Sequence, residues 1–376
     1  EAAKKRGTNV SQLHIGPPDI ETPPPILDAV KEADIRVLEY SHSAGNESYR
    51  RKLTSYYKKV GIDVTYDQIL ITTGGSEAIL FGFLTCLNPG DEVIIPEPFY
   101  ANYNGFACAA GVKVIPITSS IENGFALPSI ESFKKVITPR TKAIVICSPN
   151  NPTGYLYSKT EMLALKDICL EYNLYLFSDE AYREFCYDGT YISAMHIEGL
   201  EQHVVLMDTI SKRYSACGAR LGALVTKNKA VYNAAMKFAQ ARLSPPGLAQ
   251  IMGEAAVDLP DDYFEGPKSE YLARRNLMVQ RLNKMQGVYC PNPGGAFYAI
   301  ARLPIDDSDS FCQWLLEEFS YKGQTVMLAP ATGFYGTPGL GKNEVRLAYV
   351  LNLESLNKAM DCLEEALKVY PGRTQN

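Results

Sequence analysis

The stretch that decides the fold of this chain runs Asp208-Thr209-Ile210-Ser211-Lys212-Arg213-Tyr214-Ser215-Ala216-Cys217-Gly218-Ala219-Arg220-Leu221-Gly222. An apolar run, Val204-Val205-Leu206-Met207, leads into it and predicts a buried strand. At the end of this strand the sequence turns polar and places Lys212 among hydroxyl residues. Arg220 follows eight residues later, between two glycines. The stretch therefore predicts a strand after which the amine of Lys212 and the guanidinium of Arg220 lie close together.

The chemistry of these two side chains indicates one kind of ligand. A lysine whose amine loses its charge in a dry site can form a Schiff base with an aldehyde. An arginine near glycines suits a phosphate, because its planar fork makes bidentate bonds and the glycines let the backbone come close. Aldehyde and phosphate together describe pyridoxal phosphate. This stretch alone also allows a plainer interpretation, a solvated lysine and a surface arginine at the end of a strand.

The composition is that of an ordinary globular protein. The 376 residues, 46% hydrophobic and 21% charged, can bury a large core and predict two domains. The net charge of -5 gives no basic surface, so we expect no nucleic-acid partner. Nine cysteines without a Cys-x-x-Cys pair predict free thiols in a reducing cytoplasm. None of the four histidines stands in metal-ligand spacing, so no metal site is predicted.

Hydropathy gives no sign of a membrane protein. No apolar stretch is long enough to span a bilayer, and the N-terminal residues lack the core of a signal peptide. We therefore expect no membrane partner and a cytoplasmic location. The chain starts at Glu1 rather than at methionine, so we also expect that further residues precede it.

Short apolar runs alternate with helical patterns from about Gln68 onward. This alternation favours a mostly parallel sheet covered by helices on both faces. The predicted strands are 69–72, 92–95, 112–117, 143–147, 174–177, 204–207 and 222–226, with helices that include 76–87 and 159–172. We predict an α/β fold in which residues 46–248 form a large cofactor-binding domain around a seven-stranded sheet.

The two ends of the chain predict a smaller unit. The proline-rich opening through Pro25 predicts an extended arm rather than a packed element. The remaining predicted helices are 26–33, 48–59, 248–257, 269–285, 309–318 and 353–369, and the remaining strands are 296–301 and 345–350. Residues 1–45 and 249–376 are therefore predicted to form a small α+β domain with the arm.

Two nucleotide motifs can be rejected. The stretch from Gly336 to Asn343 nearly matches a P-loop, but it contains a proline and leads into a strand instead of a helix. No Gly-x-Gly-x-x-Gly follows a predicted strand, which disfavours a nicotinamide cofactor.

The residues just past each predicted strand test the cofactor hypothesis, because ligands of open parallel sheets bind beyond the carboxyl ends of the strands. Gly74 and Gly75 follow the first strand and enter a helix, where exposed N–H groups form a phosphate cradle. Glu77 is also there, and its carboxylate must point away from an anion. A plain helix start capped by Ser76 is the alternative.

Three further strand ends carry suitable side chains. Tyr100 follows the second strand and offers an aromatic face to a heterocycle. Asn151 lies in a loop stiffened by two prolines, although the same sequence is typical of a turn. Asp179 ends a buried strand and needs a partner, which a protonated pyridine nitrogen would supply. Tyr182 lies three residues on, within reach of the ring hydroxyl. Each signal is weak, but their co-occurrence in this order is specific.

Together these stretches resemble the class I/II aminotransferases, which are fold-type I pyridoxal-phosphate enzymes of the aspartate aminotransferase type. The resemblance covers essentially the whole chain. It is carried by Gly74-Gly75-Ser76-Glu77-Ala78, Asn151-Pro152-Thr153-Gly154, Ser178-Asp179-Glu180-Ala181-Tyr182, Ser211-Lys212 through Gly218-Ala219-Arg220-Leu221-Gly222, and Val345-Arg346-Leu347-Ala348.

The resemblance implies a role for each matching residue. It implies that Lys212 forms the Schiff base and shuttles a proton, that Asp179 pairs with the pyridine nitrogen and that Tyr100 stacks on the ring. Tyr182 and Asn151 would hold the ring oxygen. The phosphate would be held by Gly75, Ser76, the backbone of Glu77, Thr209 and Arg220. The substrate α-carboxylate would be bound by Arg346, helped by Asn151 and the backbone near Gly16. Tyr40 would reach the phosphate of the neighbouring subunit, because these enzymes form shared active sites across a homodimer interface.

The implied function is transamination between an L-amino acid, aspartate as the first hypothesis, and a 2-oxo acid such as 2-oxoglutarate. Alanine, broad-specificity or aromatic aminotransferase activity is the alternative, as is a β-eliminating lyase on the same fold. A non-catalytic module that reuses the fold in a regulator is a further alternative.

Three departures from the family pattern concern the substrate. Arg213 and Cys217 stand where many relatives are more apolar, and Ser76 stands where some aspartate-specific relatives carry a lysine. A dicarboxylic donor needs a second cation besides Arg346, and Arg242 is the candidate, since its surroundings resemble the stretch that approaches the partner's active site. A helix-end arginine that satisfies carbonyl groups is the alternative.

Overall fold

The computed structural model describes residues 2–374. The helices are α1 Ala2–Lys5, α2 Pro24–Lys31, α3 Glu47–Lys59, α4 Gly74–Cys86, α5 Asn102–Ala110, α6 Ile130–Val136, α7 Lys159–Tyr172, α8 Lys229–Arg242, α9 Gly247–Val257, α10 Glu265–Lys284, α11 Ser308–Glu317 and α12 Leu353–Val369. The strands are β1 Asn9–Gln12, β2 Ile69–Thr72, β3 Glu92–Glu97, β4 Lys113–Thr118, β5 Thr141–Cys147, β6 Tyr175–Asp179, β7 Val204–Thr209, β8 Gly222–Val225, β9 Tyr298–Arg302, β10 Gln324–Met327, β11 Ala329–Pro330 and β12 Glu344–Ala348.

A seven-stranded sheet forms the centre of the molecule, in the order β2-β8-β7-β6-β5-β3-β4. The pairs among β3 to β7 are parallel, whereas β8 runs antiparallel to both of its neighbours, β2 and β7. This mostly parallel sheet confirms the predicted fold class.

The sheet is buried on both faces because successive residues of each strand enter different cores. In β7, Val205 and Met207 belong to one apolar cluster, and Val204 and Leu206 belong to the other. Apolar residues of α4, α5 and α8 cover the first face, and those of α3, α7 and α9 cover the second. Strands buried on both sides read as continuous apolar runs, which is why their positions could be predicted.

The N-terminal arm is more ordered than predicted. Asn9–Gln12 forms β1, which pairs in parallel with β10, and the N–H of Leu13 continues the ladder to the carbonyl of Met327 at 2.9 Å. The carbonyl of Leu13 also accepts from the N–H of Ala348 at 2.8 Å, at the end of β12. The expectation of an unpacked arm is therefore wrong at this point, because backbone pairing needs no apolar side chains. The arm is fixed beside the antiparallel sheet β11-β12-β9.

Three further findings concern the helices and the domain division. Helices α1, α5, α6 and α8 are not among the helices predicted by name. Helix α8 begins where the side chain of Asn228 accepts from the N–H groups of Ala230 and Val231. No helix among residues 2–374 is both long and apolar enough to cross a membrane. The division into a large domain of residues 46–248 and a small domain stays a prediction.

Candidate active site

A cavity of about 440 Å³ lies at the edge of the central sheet where the parallel strands end. Eleven predicted site residues line it. They are Gly16, Gly75, Ser76, Tyr100, Asn151, Asp179, Tyr182, Thr209, Lys212, Arg220 and Arg346. The wall is completed by Ile15, Pro17, Ile79, Cys147, Ala181, Ser211, Cys217 and Tyr298. The structure therefore brings residues from both ends of the chain to one place.

The antiparallel strand β8 explains why Arg220 belongs to this edge. Since β8 runs against its neighbours, its first residue lies where theirs end, and Gly222 pairs with Thr72 on one side and Thr209 on the other. A Cβ on Gly222 would lie 2.5 Å from the carbonyl oxygen of Asp208, so only glycine fits there. This close approach places Arg220 between the two neighbouring strand ends.

The glycine-rich turn and Arg220 form a cradle for an anion. Gly74 has a φ of +70°, and a Cβ on it would lie 2.5 Å from Nη2 of Arg220. Helix α4 begins at Gly74 and follows Thr73 as the N-cap residue, so Ser76 is inside the first turn. The alternative of a helix start capped by Ser76 is therefore wrong. The free N–H groups of this turn and the guanidinium suit a phosphate.

Glu77 turns its carboxylate away from this cradle, as predicted. Its Oε2 accepts from the N–H of Thr73 at 2.8 Å and forms an ion pair with Arg242. The guanidinium of Arg242 also donates to the carbonyls of Ser43 at 3.0 Å and Ile71 at 3.3 Å. Arg242 does not line the cavity, and its partners in its own chain favour the carbonyl-binding alternative over a free substrate-binding cation.

Asp179 is held at the end of β6 by two donors. The hydroxyl of Tyr103 donates to its Oδ2 at 2.8 Å, and the N–H of Ala181 donates to Oδ1 at 3.2 Å. Burial raises the pKa of Asp179 to about 6, although both hydrogen bonds act in the opposite direction. Such a carboxylate gains most from a cationic partner, because pairing removes the penalty of burying its charge.

A second cluster joins Tyr182, Asn151 and Tyr298. The hydroxyls of Tyr182 and Tyr298 lie 3.0 Å apart, and Nδ2 of Asn151 lies 3.5 Å from the Tyr182 hydroxyl. Burial raises the pKa of Tyr182 well above its ordinary value, so this phenol keeps its proton. A protonated phenol and an amide together can donate to an oxygen anion in the cavity.

Arg346 lies on β12 between two aromatic rings. Its guanidinium is 4.6 Å from the ring centre of Tyr298 and 4.6 Å from that of Phe334. Nη1 donates to Oδ1 of Asn151 at 3.0 Å, and Nη2 donates to the carbonyl of His14. Of the five N–H groups of an arginine, these bonds leave three, and Nε has no partner within residues 2–374. A buried guanidinium with spare donors in a cavity suits a carboxylate.

Lys212 is half-buried at the wall of the cavity. Its Nζ donates to the carbonyl of Gly16 at 3.2 Å, so the ordered arm reaches the amine directly. The thiol of Cys217 lies 3.9 Å from the same Nζ and donates to the carbonyl of Ser211 at 3.1 Å.

The structure explains Arg213, the departure next to the lysine. Its side chain points away from the cavity into a buried ionic cluster, where Nη1 lies 2.6 Å from Oδ1 of Asp208. Arg183 contacts Oδ2 of the same carboxylate at 3.2 Å, and the hydroxyl of Tyr57 donates to Oδ2 at 2.7 Å. Burial would raise the pKa of Asp208, but the two guanidiniums outweigh it and lower that pKa. The residue after Lys212 is thus anchored beneath the site.

Two predicted residues lie outside the cavity. The side chain of Glu77 accepts from the N-cap residue Thr73 and pairs with Arg242, and the predicted backbone contact of Glu77 with a phosphate stays a prediction. Tyr40 is 76% exposed and touches no part of the cavity of its own chain. The predicted contact of Tyr40 with a neighbouring subunit stays a prediction.

The sequence did not reveal several residues of the site. Tyr103 lies three positions after Tyr100 at the start of α5, a spacing that places both on one side of a helical turn. Tyr298 opens β9 three residues after Gly295, the second glycine of a pair, a signal similar to the one that led to Gly75. Ser211 and Cys217 flank the lysine, and they stood inside the quoted stretch without being assigned a role.

The residues present fit pyridoxal phosphate. The raised pKa of Asp179 and the cradle between Gly74 and Arg220 are separate features that a pyridinium and a phosphate would each complete. The spare N–H groups of Arg346 would take the carboxylate of a substrate. Lys212 lines the same cavity and would bond to the aldehyde carbon.

Comparison with known proteins supports this assignment. The family model "Aminotransferase class I and II" matches residues 8–360. Aspartate aminotransferase of Pyrococcus horikoshii is 34% identical over 366 residues, which cover 96% of this chain and 91% of that protein. Aromatic-amino-acid aminotransferase 2 of Thermococcus litoralis is also 34% identical, over 96% of this chain and 92% of its own length.

Solved structures give the same result. A double mutant of Thermus thermophilus aspartate aminotransferase superposes with a TM-score of 0.89 at 30% identity, covering 97% of this chain and 93% of that one. Alanine aminotransferase from Pyrococcus furiosus gives a TM-score of 0.89 at 31% identity, with coverage of 97% and 94%. The chain therefore belongs to the class I and II aminotransferases, and it is a pyridoxal-phosphate-dependent transaminase.

Proposed function

We propose that this transaminase uses L-aspartate as its preferred amino donor and a 2-oxo acid such as 2-oxoglutarate as acceptor. Transamination itself is supported by the family and by relatives that carry that name. The observation that carries the proposal is that one cavity contains an amine, a half-buried carboxylate and a buried guanidinium with spare donors, from Lys212, Asp179 and Arg346. The preference for aspartate is supported by the names of several relatives.

Each residue of the cavity then has a defined task. We infer that Arg220, the N–H groups of Gly75, Ser76 and Glu77, and the hydroxyl of Thr209 hold the phosphate. Tyr100 packs against the ring, Asp179 keeps the pyridine nitrogen protonated, and Tyr182 with Asn151 donates to the ring oxygen. When bound, pyridoxal phosphate supplies an electron sink for the pair of electrons left at the substrate α-carbon.

Arg346 and Lys212 act on the substrate itself. The three spare N–H groups of Arg346 can clamp an α-carboxylate in a bidentate bond, and Asn151 holds one end of the guanidinium in place. This clamp orients the α-carbon toward Lys212, whose amine then accepts and returns the α-proton. The N-terminal arm helps to exclude water, because Ile15, Gly16 and Pro17 line the same cavity.

The deciding experiment is replacement of the lysine. Lys212→Ala should abolish amino transfer from aspartate to 2-oxoglutarate, while the phosphate contacts still allow loose cofactor binding. Lys142→Ala is the matched control, because that amine is exposed and, within residues 2–374, donates only to the carbonyl of Pro139. Wild-type-like turnover in Lys212→Ala would overturn the proposed function.

We also propose that two chains form a homodimer with shared active sites. Several apolar side chains are exposed around Tyr40 and at the start of α9. They are Ile35, Val37, Leu38, Leu243 and Leu248. Equilibrium sedimentation should give twice the chain mass, and Tyr40→Phe should release cofactor faster with only a modest loss of rate. A fully active monomer in dilute solution would contradict this proposal.

We further propose a cytoplasmic location. All nine cysteines are unpaired, and six of them are buried, an arrangement that suits a reducing compartment. Fractionation of cells that express the protein should recover it in the cytoplasmic fraction, and recovery in another fraction would contradict the proposal.

An apolar or aromatic donor is the second candidate. The cations that line the cavity are Lys212, Arg220 and Arg346, each with a proposed task, and Arg242 is paired with Glu77. A donor screen with aspartate, alanine and phenylalanine decides between the two candidates. A higher kcat/KM for phenylalanine or alanine than for aspartate would favour this second candidate.

A further inference from the structure

We propose that Tyr298 is a positioning residue whose hydroxyl donates to Tyr182 and thereby sets the proton affinity of the bound cofactor, while its ring holds Arg346. The inference rests on the proposed function, because it assigns Tyr182 to the ring oxygen of pyridoxal phosphate. It adds a residue that joins the binding site of the substrate carboxylate to that of the cofactor oxygen.

The contact between the two phenols is buried and well placed. Tyr298 is 3% exposed, and its Oη lies 3.0 Å from Oη of Tyr182. The two rings pack edge to face with their centroids 5.6 Å apart, and this packing accompanies the contact between the hydroxyls. Within residues 2–374, Tyr182 is the only hydrogen-bond partner of the Tyr298 hydroxyl.

The number of available protons decides the direction of this bond. Tyr182 has one hydroxyl proton, and in the loaded protein that proton goes to the ring oxygen. Asn151 can only donate to Tyr182 through Nδ2, because its Oδ1 accepts from Arg346. The remaining bond between the phenols must then run from Tyr298 to Tyr182. Donation into a hydroxyl strengthens the bond that this hydroxyl donates in turn.

The stronger donor stabilises negative charge on the ring oxygen. Hydrogen bonds to a charged form favour that form. Tyr298 should therefore lower the proton affinity of the loaded site by acting through the hydroxyl of Tyr182.

The ring of Tyr298 has a separate task. Arg346 lies 4.6 Å from its centroid, and a Cβ on Gly16 would overlap the Tyr298 hydroxyl. Gly16 in turn accepts from Nζ of Lys212 at 3.2 Å. The same tyrosine thus limits the position of Arg346, of the arm and of Tyr182, and a phenylalanine would preserve the first contact while removing the bond to Tyr182.

The test is a spectroscopic titration of the loaded protein. In Tyr298→Phe, the pH midpoint of the cofactor absorbance should rise by about 0.5 to 1 unit, since one hydrogen bond is worth about one pKa unit or less. Tyr271→Phe is the matched control, because that hydroxyl is equally buried in the same aromatic cluster but has no partner within the described chain. The control should titrate as the wild type does.

Steady-state kinetics distinguishes the role of the Tyr298 ring from the role of its hydroxyl. Tyr298→Phe should lower kcat and change KM for every donor less than about threefold. Tyr298→Leu should also raise KM about fivefold, because a cation over an aromatic ring is worth about 1 kcal/mol. An unchanged titration midpoint in a folded, loaded Tyr298→Phe protein would overturn the inference. Failure of the proposed function would look different, since the wild type would then bind pyridoxal phosphate and titrate but would not transfer the amino group of aspartate.

Discussion

The hydroxyl of Tyr103 donates to Oδ2 of Asp179 at 2.8 Å, so the carboxylate at the end of β6 is fixed before any ligand arrives. Asp179→Asn keeps the shape of this side chain but removes its charge. We expect turnover to fall by about 10²–10³, the usual loss when one electrostatic contact to a reacting system is removed. Steady-state kinetics with saturating cofactor checks this, and a loss of only a few-fold would reduce Asp179 to a structural residue.

The same carboxylate should destabilise the cofactor-free protein above pH 6. Burial raises the pKa of Asp179 from 3.8 to about 6, so its favourable contribution is complete below pH 3.8 and is lost as the pH rises through 6. Cofactor-free Asp179→Asn should therefore have a higher Tm than the wild type at pH 8, with the difference shrinking toward pH 5. Thermal unfolding at both pH values tests this, and a lower Tm at pH 8 would contradict it.

In the buried ionic cluster below Lys212, loss of Asp208 should destabilise the protein more than loss of Arg213. Asp208→Asn leaves Arg213 without a paired carboxylate among the described residues and leaves Arg183 with Glu180 alone, and removing one partner from buried ion pairs costs about 3–5 kcal/mol. Arg213→Met removes one of two cations, so Asp208 keeps Arg183 and Tyr57 and the free energy of unfolding should fall less. Urea unfolding of both variants gives the comparison. An equal or reversed order would mean that Arg213 is the main partner of Asp208.

Arg346 should act on every amino-acid substrate in the same way. Arg346→Lys replaces a bidentate fork with a point charge, and it also loses the fixed bond to Asn151. We expect kcat/KM to fall at least tenfold for aspartate, alanine and phenylalanine alike. A loss confined to one donor would show that Arg346 recognises side chains instead of the α-carboxylate.

Arg242 should support the cradle without selecting the substrate. Its ion pair with Glu77 and its bonds to two carbonyls join helix α4 to the loop at Ser43. Arg242→Ala should therefore weaken cofactor binding and reduce aspartate and alanine activity equally, and Glu77→Gln should have a similar effect. Selective loss of aspartate activity would restore Arg242 as the second cation for a dicarboxylate.

The sequence predicted the central sheet well because its strands are buried on both faces. Continuous apolar runs such as 204–207 mark these strands, and the residues after them mark the ligand edge. Strand β1 was missed because Asn9–Gln12 is polar and is held by backbone pairing with β10. Pairing of that kind leaves no apolar pattern in the sequence.

The residues that support the site residues could not be predicted, because their contacts join distant parts of the chain. Tyr103 and Tyr298 act through contacts with Asp179 and Tyr182, which lie 76 and 116 residues away in the chain. A strand end predicts which side chains face a ligand, but it does not predict which residues of other elements pack behind them. The ionic role of Arg213 depends in the same way on where Asp208 and Arg183 meet.

The position of β8 between β2 and β7 determines when this enzyme can first hold its cofactor during synthesis. In the central sheet β2 has β8 as its single neighbour, so the strand that leads into the glycine-rich turn has no sheet partner until β8 has been made. A nascent chain that already contains Gly75, Asp179 and Lys212 would still lack the strand that gathers them. Fragments that end before β8 should therefore expose the unpaired edge of β2, a strand with three apolar residues in a row, which is a template for aggregation. The growing chain depends on its later half to cover that edge.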